Sequence, residues 1–307
     1  LRRKITGIIP ELFELQHIIV VNRDNNDYEL VDIADLNYET EMTKASANYD
    51  VVPMSQYDYS ILHYTFDETG NFKGLAYSHE AVAQHCFNGH QILGFKEDDI
   101  YWCTSDPSYV TGIGCGILTP WSNGLTQFIY EGGFDINIWC DLIEKHKISV
   151  WCTATSAIRM LITSGDDVVM KYDLSSLKNI SVVDDTLNID ELRESQRILG
   201  KVPCHSWSQP ETGAVLIAHH GGNDINPGSV GRPLHGIKID IVDDQYNVVE
   251  AGSVGNLAIR PGWPAMFQTY WNDSNLYNSR FRKGWYISDE KAFIDDNGYV
   301  WLVSFSE

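Results

Sequence analysis

The chain has 307 residues, 43% of them hydrophobic and 12% aromatic, which is enough for one large packed core or two ordinary ones. Lysine and arginine total 22 against 42 aspartates and glutamates, and the formal charge of -20 argues against a nucleic-acid or anionic-membrane footprint. The six cysteines (Cys86, Cys103, Cys115, Cys140, Cys152 and Cys204) form no C-x-x-C pair, so buried free thiols are expected rather than a zinc site or disulfide framework.

No apolar run reaches the length of a bilayer span, and the opening LRRKITGIIPELF lacks both a sustained apolar core and a small-residue cleavage site. A cytoplasmic, unprocessed chain is the expectation. In chain order, residues 1–55 hold one good strand, HIIVV, and then an acidic, weakly patterned segment over 22–50 that reads as a surface linker. From about 56 to 207, short β-branched or aromatic runs alternate with amphipathic stretches, the pattern of βα units around a largely parallel sheet. The predicted strands are SILHYT, DIYWCTS, TQFIYEG, ISVWCTA and NISVVDD. The predicted helices are SHEAVAQHCFNGHQIL, DINIWCDLIEKHKI and NIDELRESQRILG, with Ser78 and Asp135 as candidate caps. Beyond about 214 the texture changes to alternation and turn clusters, with DDNG as a hairpin turn, and predicts antiparallel β structure.

The expected fold class is therefore α/β. A remnant and linker over 1–55 precede an α/β subdomain over 56–213 and a β-rich subdomain over 214–307, with the boundary between 205 and 230.

Five segments, LHYTFDETGNFKGLAYSHEA, DIYWCTSDPSYVTG, SWSQPETG, NPGSVGRPLHG and GWYISDEKAFIDDNGYVWLV, fall in the order and spacing of the adenylate-forming superfamily, and the chain most resembles acetyl-CoA synthetases. The resemblance implies a layered βα nucleotide-loop subdomain followed by an antiparallel, distorted-barrel subdomain. It places the family's mobile C-terminal domain beyond Glu307. It also implies activation of a carboxylate by ATP and Mg2+ to an acyl-adenylate, followed by transfer to CoA.

The family's phosphate loop, Y-T-S-G-[ST]-T-G-x-P-K-G, is matched by Tyr64, Thr65, Thr69, Gly70, Lys73 and Gly74. Phe66, Asp67, Glu68 and Phe72 depart from it. A carboxylate about 4 Å from a phosphate charge costs on the order of 4 kcal/mol at an effective dielectric of about 20, so inward-facing acids here oppose a polyphosphate. In the adenylate motif, Trp207, Glu211, Thr212 and Gly213 match, which implies an aromatic beside adenine and a magnesium-holding carboxylate. Pro210 replaces a threonine, and Ser208 replaces the tryptophan that closes the acyl pocket, which favours a chain longer than acetate. Tyr109 and Thr111 match the acyl-pocket segment, although an aromatic at a helix start is more often core.

The segment contacting the adenine side reads Asp184, Asp185, Thr186, adding acidic charge. Glu290 stands for the ribose-binding aspartate, after Asp289 in a glycine's place, and Phe305 and Glu307 replace the arginine and aspartate of the final motif. His79, His85, His90, His219 and His220 show no metal-ligand spacing and read as solvated or satisfied side chains, and there is no G-x-S-x-G elbow.

The leading expectation is an acetyl-CoA-synthetase-like pseudoenzyme with an eroded ATP site, acting in binding, regulation or assembly with a protein partner or a second copy. The competing expectation is an active, AMP-forming acid-CoA ligase in which Lys73, Glu211 and Glu290 meet phosphate, magnesium and ribose. A third is a partial chain completed by another polypeptide. The expected small partners are a carboxylic acid or a nucleotide.

Overall fold

The computed structural model describes residues 7–23, 35–66, 69–183, 185–219 and 225–303, which divide into two compact units, residues 1–53 and 54–307. In the first, β1 (Ile18–Val20) pairs in parallel with β2 (Asp35–Asn37). A helix, Tyr38–Lys44, follows at once inside the stretch expected to be a linker; Asn37 caps it by accepting the Thr40 N–H, and Glu39 and Glu41 suit its first turn.

The second unit opens with an antiparallel hairpin of β3 (Tyr59–Phe66) and β4 (Phe72–Ser78), completed by β14 (Thr269–Tyr270) on the far side of β4. SILHYT therefore lies outside the parallel sheet, and the chain returns from its loop as a strand before the helix Ala81–Gln91 begins. The reason is burial. Gly74 through Ser78 are buried in succession, so the segment is covered on both faces, which a one-sided helix is not. Ser78 consequently stays in β4 and caps nothing; its hydroxyl is buried without a hydrogen-bond partner.

The main sheet has the strand order β11-β10-β9-β8-β7-β5-β6. Its parallel part consists of β5 (Ile100–Cys103), β6 (Thr126–Phe128), β7 (Val150–Ala154), β8 (Asn179–Val183) and β9 (Cys204–Trp207). Strand alternation sends Trp102, Trp151, Ile180 and Val182 into a core under the helices Ile136–His146, Thr155–Thr163 and Ile189–Leu199. Tyr101, Val150, Cys152 and Val183 enter a second core on the opposite face with Ile92, Leu93 and Phe95. Burial on both faces is what a parallel sheet requires, and each large side chain so buried contributes about 1.5–3 kcal/mol. Asp135 caps its helix as expected, and Asn188 with Glu191 forms a full capping box.

The chain passes residue 213 without leaving the core. β10 (Ile217–Ala218) and β11 (Arg232–Pro233) add antiparallel strands to β9. A separate antiparallel sheet then forms from β12 (Ile239–Val242), β13 (Gly255–Ile259), β15 (Phe281–Arg282), β16 (Trp285–Ile294) and β17 (Val300–Leu302), with the DDNG turn joining the last two. One core cluster joins this sheet to the hairpin and to β9, with Leu75, Tyr77, Trp207, Leu257, Tyr286 and Val300 among its members. All six cysteines are free thiols, and among the described residues no helix is long and apolar enough to cross a membrane.

Candidate active site

The β3–β4 hairpin, the chain following β5 and the chain following β9 enclose an open cleft of about 420 Å³. Strand ends bring its walls together: His63 to Phe66 from β3, Ser108 to Thr111 after β5, and Ser208 to Pro210 after β9. Thr65, Tyr109, Thr111 and Ser208 thus meet in one place, as the motifs require. Tyr109 is 68% exposed, so it is a cleft wall and not a core side chain. Trp207 points the other way, into the core cluster, and is 4% exposed.

The hairpin register sets Thr65 opposite Lys73 and Phe66 opposite Phe72, whose exposed rings pack with centroids 4.4 Å apart. Thr69 and Gly70 lie in the exposed turn between the strands, where Asn71 Nδ2 donates to Thr69 Oγ1 at 2.7 Å. Gly74 is needed for close packing, since a Cβ there would come within 3.0 Å of the Tyr64 ring and 3.1 Å of Trp271.

Lys73 turns inward. Its Nζ lies 2.6 Å from Glu211 Oε1 in an ion pair whose side chains are 13% and 5% exposed. Tyr270 OH donates to the same oxygen at 2.6 Å and receives a hydrogen bond from Arg280 Nε at 3.2 Å. Arg280 in turn pairs with Asp289. Burial, followed by the nearby Glu211 carboxylate, raises the Tyr270 phenol far above its ordinary range, so it remains a donor.

Glu211 sits in a short turn, Pro210–Thr212, fixed by the Gln209 N–H to Thr212 Oγ1 bond at 2.9 Å and by Tyr77 OH donating to the Pro210 carbonyl at 2.6 Å. Trp263 Nε1 donates to the Thr212 carbonyl at 2.8 Å, so Thr212 is wholly buried and serves the turn rather than the cleft. Gly213 closes the turn at φ 67°, and any Cβ there would meet the Ala265 carbonyl at 2.0 Å.

Glu290 is half-buried, and its carboxyl is raised above the usual range by burial and then by adjacent Asp289, with a Gln209 hydrogen bond opposing the rise. Tyr286 OH also donates to Gln209 Oε1, at 3.1 Å, so Gln209 links the turn to β16. Asp185 shares Arg159 with Glu191: Arg159 Nη1 meets Asp185 Oδ2 at 2.8 Å, and that bond, against the pull of burial, holds the Asp185 carboxyl below the usual range. Asp67, Glu68, Asp184, His220, Phe305 and Glu307 lie outside the described residues.

His79 and His90 are exposed, whereas His85 is buried and its imidazole is lowered to about 4, chiefly by desolvation. His219 Nε2 lies 3.1 Å from Ser229 Oγ. Among the described residues no group of three or more His, Cys, Asp or Glu side chains is placed to hold a metal by itself. A magnesium ion shared between phosphate oxygens and one carboxylate needs only one protein ligand, and Glu211 fits that part: Oε1 is engaged, while Oε2 takes no hydrogen bond among the described residues.

The reading of the motifs missed Tyr270, Arg280 and Gln209. Tyr270 reaches Glu211 only because β14 pairs with β4, with Tyr270 opposite Leu75, and no local pattern announces a contact across that separation.

The sequence profile of the AMP-binding enzyme family matches residues 5–271. The acetyl-coenzyme A synthetase of Bacillus subtilis (strain 168) is 39% identical over 309 residues, covering 97% of this chain and 53% of that protein. The acetyl-coenzyme A synthetase of Chromobacterium violaceum is 32% identical over 302 residues, covering 94% and 46%. The chain spans about half the length of the curated relatives it matches. The crystal structure of the anthranilate CoA ligase AuaEII in complex with anthranoyl-AMP superposes with a TM-score of 0.87 at 23% identity, over 97% of this chain and 56% of that one, and shows the same fold. A family profile over most of the residues, close relatives and a shared fold agree, and the chain belongs to the AMP-binding enzyme family.

Proposed function

We propose that this is an acetyl-CoA-synthetase-like, adenylate-forming domain that keeps a cleft for a carboxylic acid but holds ATP weakly, so that its activity is low and its role is binding, regulation or assembly. One observation carries the reading: among the described residues no lysine or arginine lines the cleft, because Lys73 is paired with Glu211, whose same oxygen Tyr270 also holds. A triphosphate entering it would exchange water for neutral hydroxyls and the rings of Tyr64, Phe66 and Tyr109, without the charge-assisted bonds that make phosphate sites strong. Pro210 supports the reading, since it offers neither hydroxyl nor N–H at the turn. The cleft hydroxyls of Thr65, Thr111 and Ser208 remain suited to a small acid, with Ser208 leaving room beyond acetate.

A second reading, an active AMP-forming acid-CoA ligase, is favoured by the available Oε2 of Glu211. In it a bound magnesium ion would supply charge neutralisation for the phosphates, Lys73 would leave Glu211 for a phosphate oxygen, and Glu290 would hold ribose hydroxyls. Carboxylate-dependent exchange of labelled pyrophosphate into ATP separates the two. Exchange well above a no-protein blank, with any short or medium-chain acid, sinks the weak-site reading; ATP titration without measurable heat, with or without magnesium, supports it.

A further inference from the structure

We propose that the cleft at the starting ends of β5, β7, β8 and β9 is a second binding site, which takes a small organic phosphate and is separate from the active-site cleft. Asp99 precedes β5, Val150 and Asn179 open β7 and β8, and Lys201 precedes β9, so the parallel strands begin around a space of about 360 Å³. The active-site walls follow the finishing ends of β5 and β9, which puts the two clefts at opposite edges of one sheet. The volume lies in the range of small-molecule sites.

Charge gives the ligand class. Lys96, Lys178 and Lys201 come from three different connections and line this space with a single carboxylate, Asp99, in a chain that is otherwise strongly acidic. Asp99 is buried and its oxygens are taken: Oδ1 accepts from Lys178 Nζ at 2.7 Å and from Ser149 Oγ at 2.8 Å, and Oδ2 accepts the Lys96 N–H at 2.9 Å. That pairing fixes Lys178 in place. Lys96 and Lys201 have no ion-pair partner among the described residues, and Glu97 and Asp98 are exposed beside the site without lining it. Three ammonium groups against one carboxylate leave an excess of two positive charges, which matches a phosphate monoester carrying about -1.5 to -2 at neutral pH. Leu93, Val150 and Val202 supply an apolar wall for the organic part, which inorganic phosphate would leave uncovered.

The test is calorimetric titration of the full chain with inorganic phosphate and with phenyl phosphate, at low and high salt. Phenyl phosphate should bind more tightly than phosphate, and its binding should weaken as salt rises. Lys96→Gln with Lys201→Gln, both exposed positions, should lower affinity by roughly tenfold per ammonium removed. Ser208→Trp, which fills the other cleft, should leave phenyl phosphate binding unchanged. The proposal is overturned if the full chain binds neither probe, if binding survives the double substitution, or if Ser208→Trp abolishes it. None of these outcomes depends on whether ATP binds in the active-site cleft.

Discussion

Lys73 and Glu211, far apart in sequence and on different elements, meet at 2.6 Å with almost no solvent at either side chain. Removing one member of such a pair strands the other charge. Glu211→Ala should therefore destabilise the fold by about 3–5 kcal/mol, and Lys73→Ala by a similar amount. The double variant should lose less than the sum of the two, which urea denaturation in a double-mutant cycle measures. Strict additivity would mean that the pair does not form in solution.

Tyr270→Phe removes the second donor to Glu211 Oε1 while keeping the ring in its core. A hydrogen bond to a charged group contributes about 1.5–3 kcal/mol, so a loss in that range is expected. Asp289→Asn should cost less, because its exposed carboxylate reaches Glu211 only through Arg280 and the Tyr270 hydroxyl. Equal losses for the two would break the proposed order of contacts.

His85 gives the stability a pH dependence. Its folded imidazole is lowered to about 4, while an unfolded histidine titrates at about 6.5. Above about 6.5 both states are neutral and stability is complete; as pH falls towards 4 the unfolded chain takes the proton first and stability is lost. The full span is about 3 kcal/mol. Unfolding free energies measured across that window should decline, and His85→Gln should remove that part of the decline.

Phe66→Ser, Asp67→Gly, Glu68→Thr, Phe72→Pro and Pro210→Thr together restore the hydroxyls, glycine and proline of the family loop. The combined variant should bind ATP with magnesium at least about tenfold more tightly than the starting chain, because each restored donor contributes about a kilocalorie per mole. Unchanged binding would show that the departures are not what weakens the site.

Ser208→Trp should narrow the acid subsite. Titration with acyl sulfamoyl adenosines of increasing chain length should show a preference for butanoyl or longer over acetyl in the starting chain, reversed in the variant. A pocket edge of one or two methylenes is worth about 1–3 kcal/mol, which sets the size of the reversal. Equal ranking of chain lengths in both proteins would place the acyl group elsewhere.

Much of the fold was legible because alternation and helical spacing report burial directly. Asp135 announced its helix, and Thr65, Tyr109, Thr111 and Ser208, drawn from three of the motif segments, line one cleft. What escaped depends on long-range pairing. The strand β4 precedes the predicted helix without a signal of its own, because a segment buried on both faces has no alternation to read. The β10 and β11 strands are two residues each, so the continuation of the main sheet past residue 213 left no pattern. The family's loop motif assigns Lys73 to phosphate, while its pairing with Glu211 across 138 residues has no local signal in the sequence.

That pairing also orders events in time. The Lys73–Glu211 pair gains its Tyr270 hydroxyl only when residue 270 has been made and docked, so an emerging chain presents this ammonium before Glu211 exists and the pair before its last donor arrives. Contacts of such high sequence separation form late and slowly, and until then the β4 side of the hairpin is an unprotected edge. Pulse-labelled amide exchange during refolding should find the Trp271 and Gln268 N–H groups, which donate to the Gly74 and Ala76 carbonyls, protected after the Trp102 and Trp151 strands, which makes closure of the site a checkpoint on complete synthesis of this region.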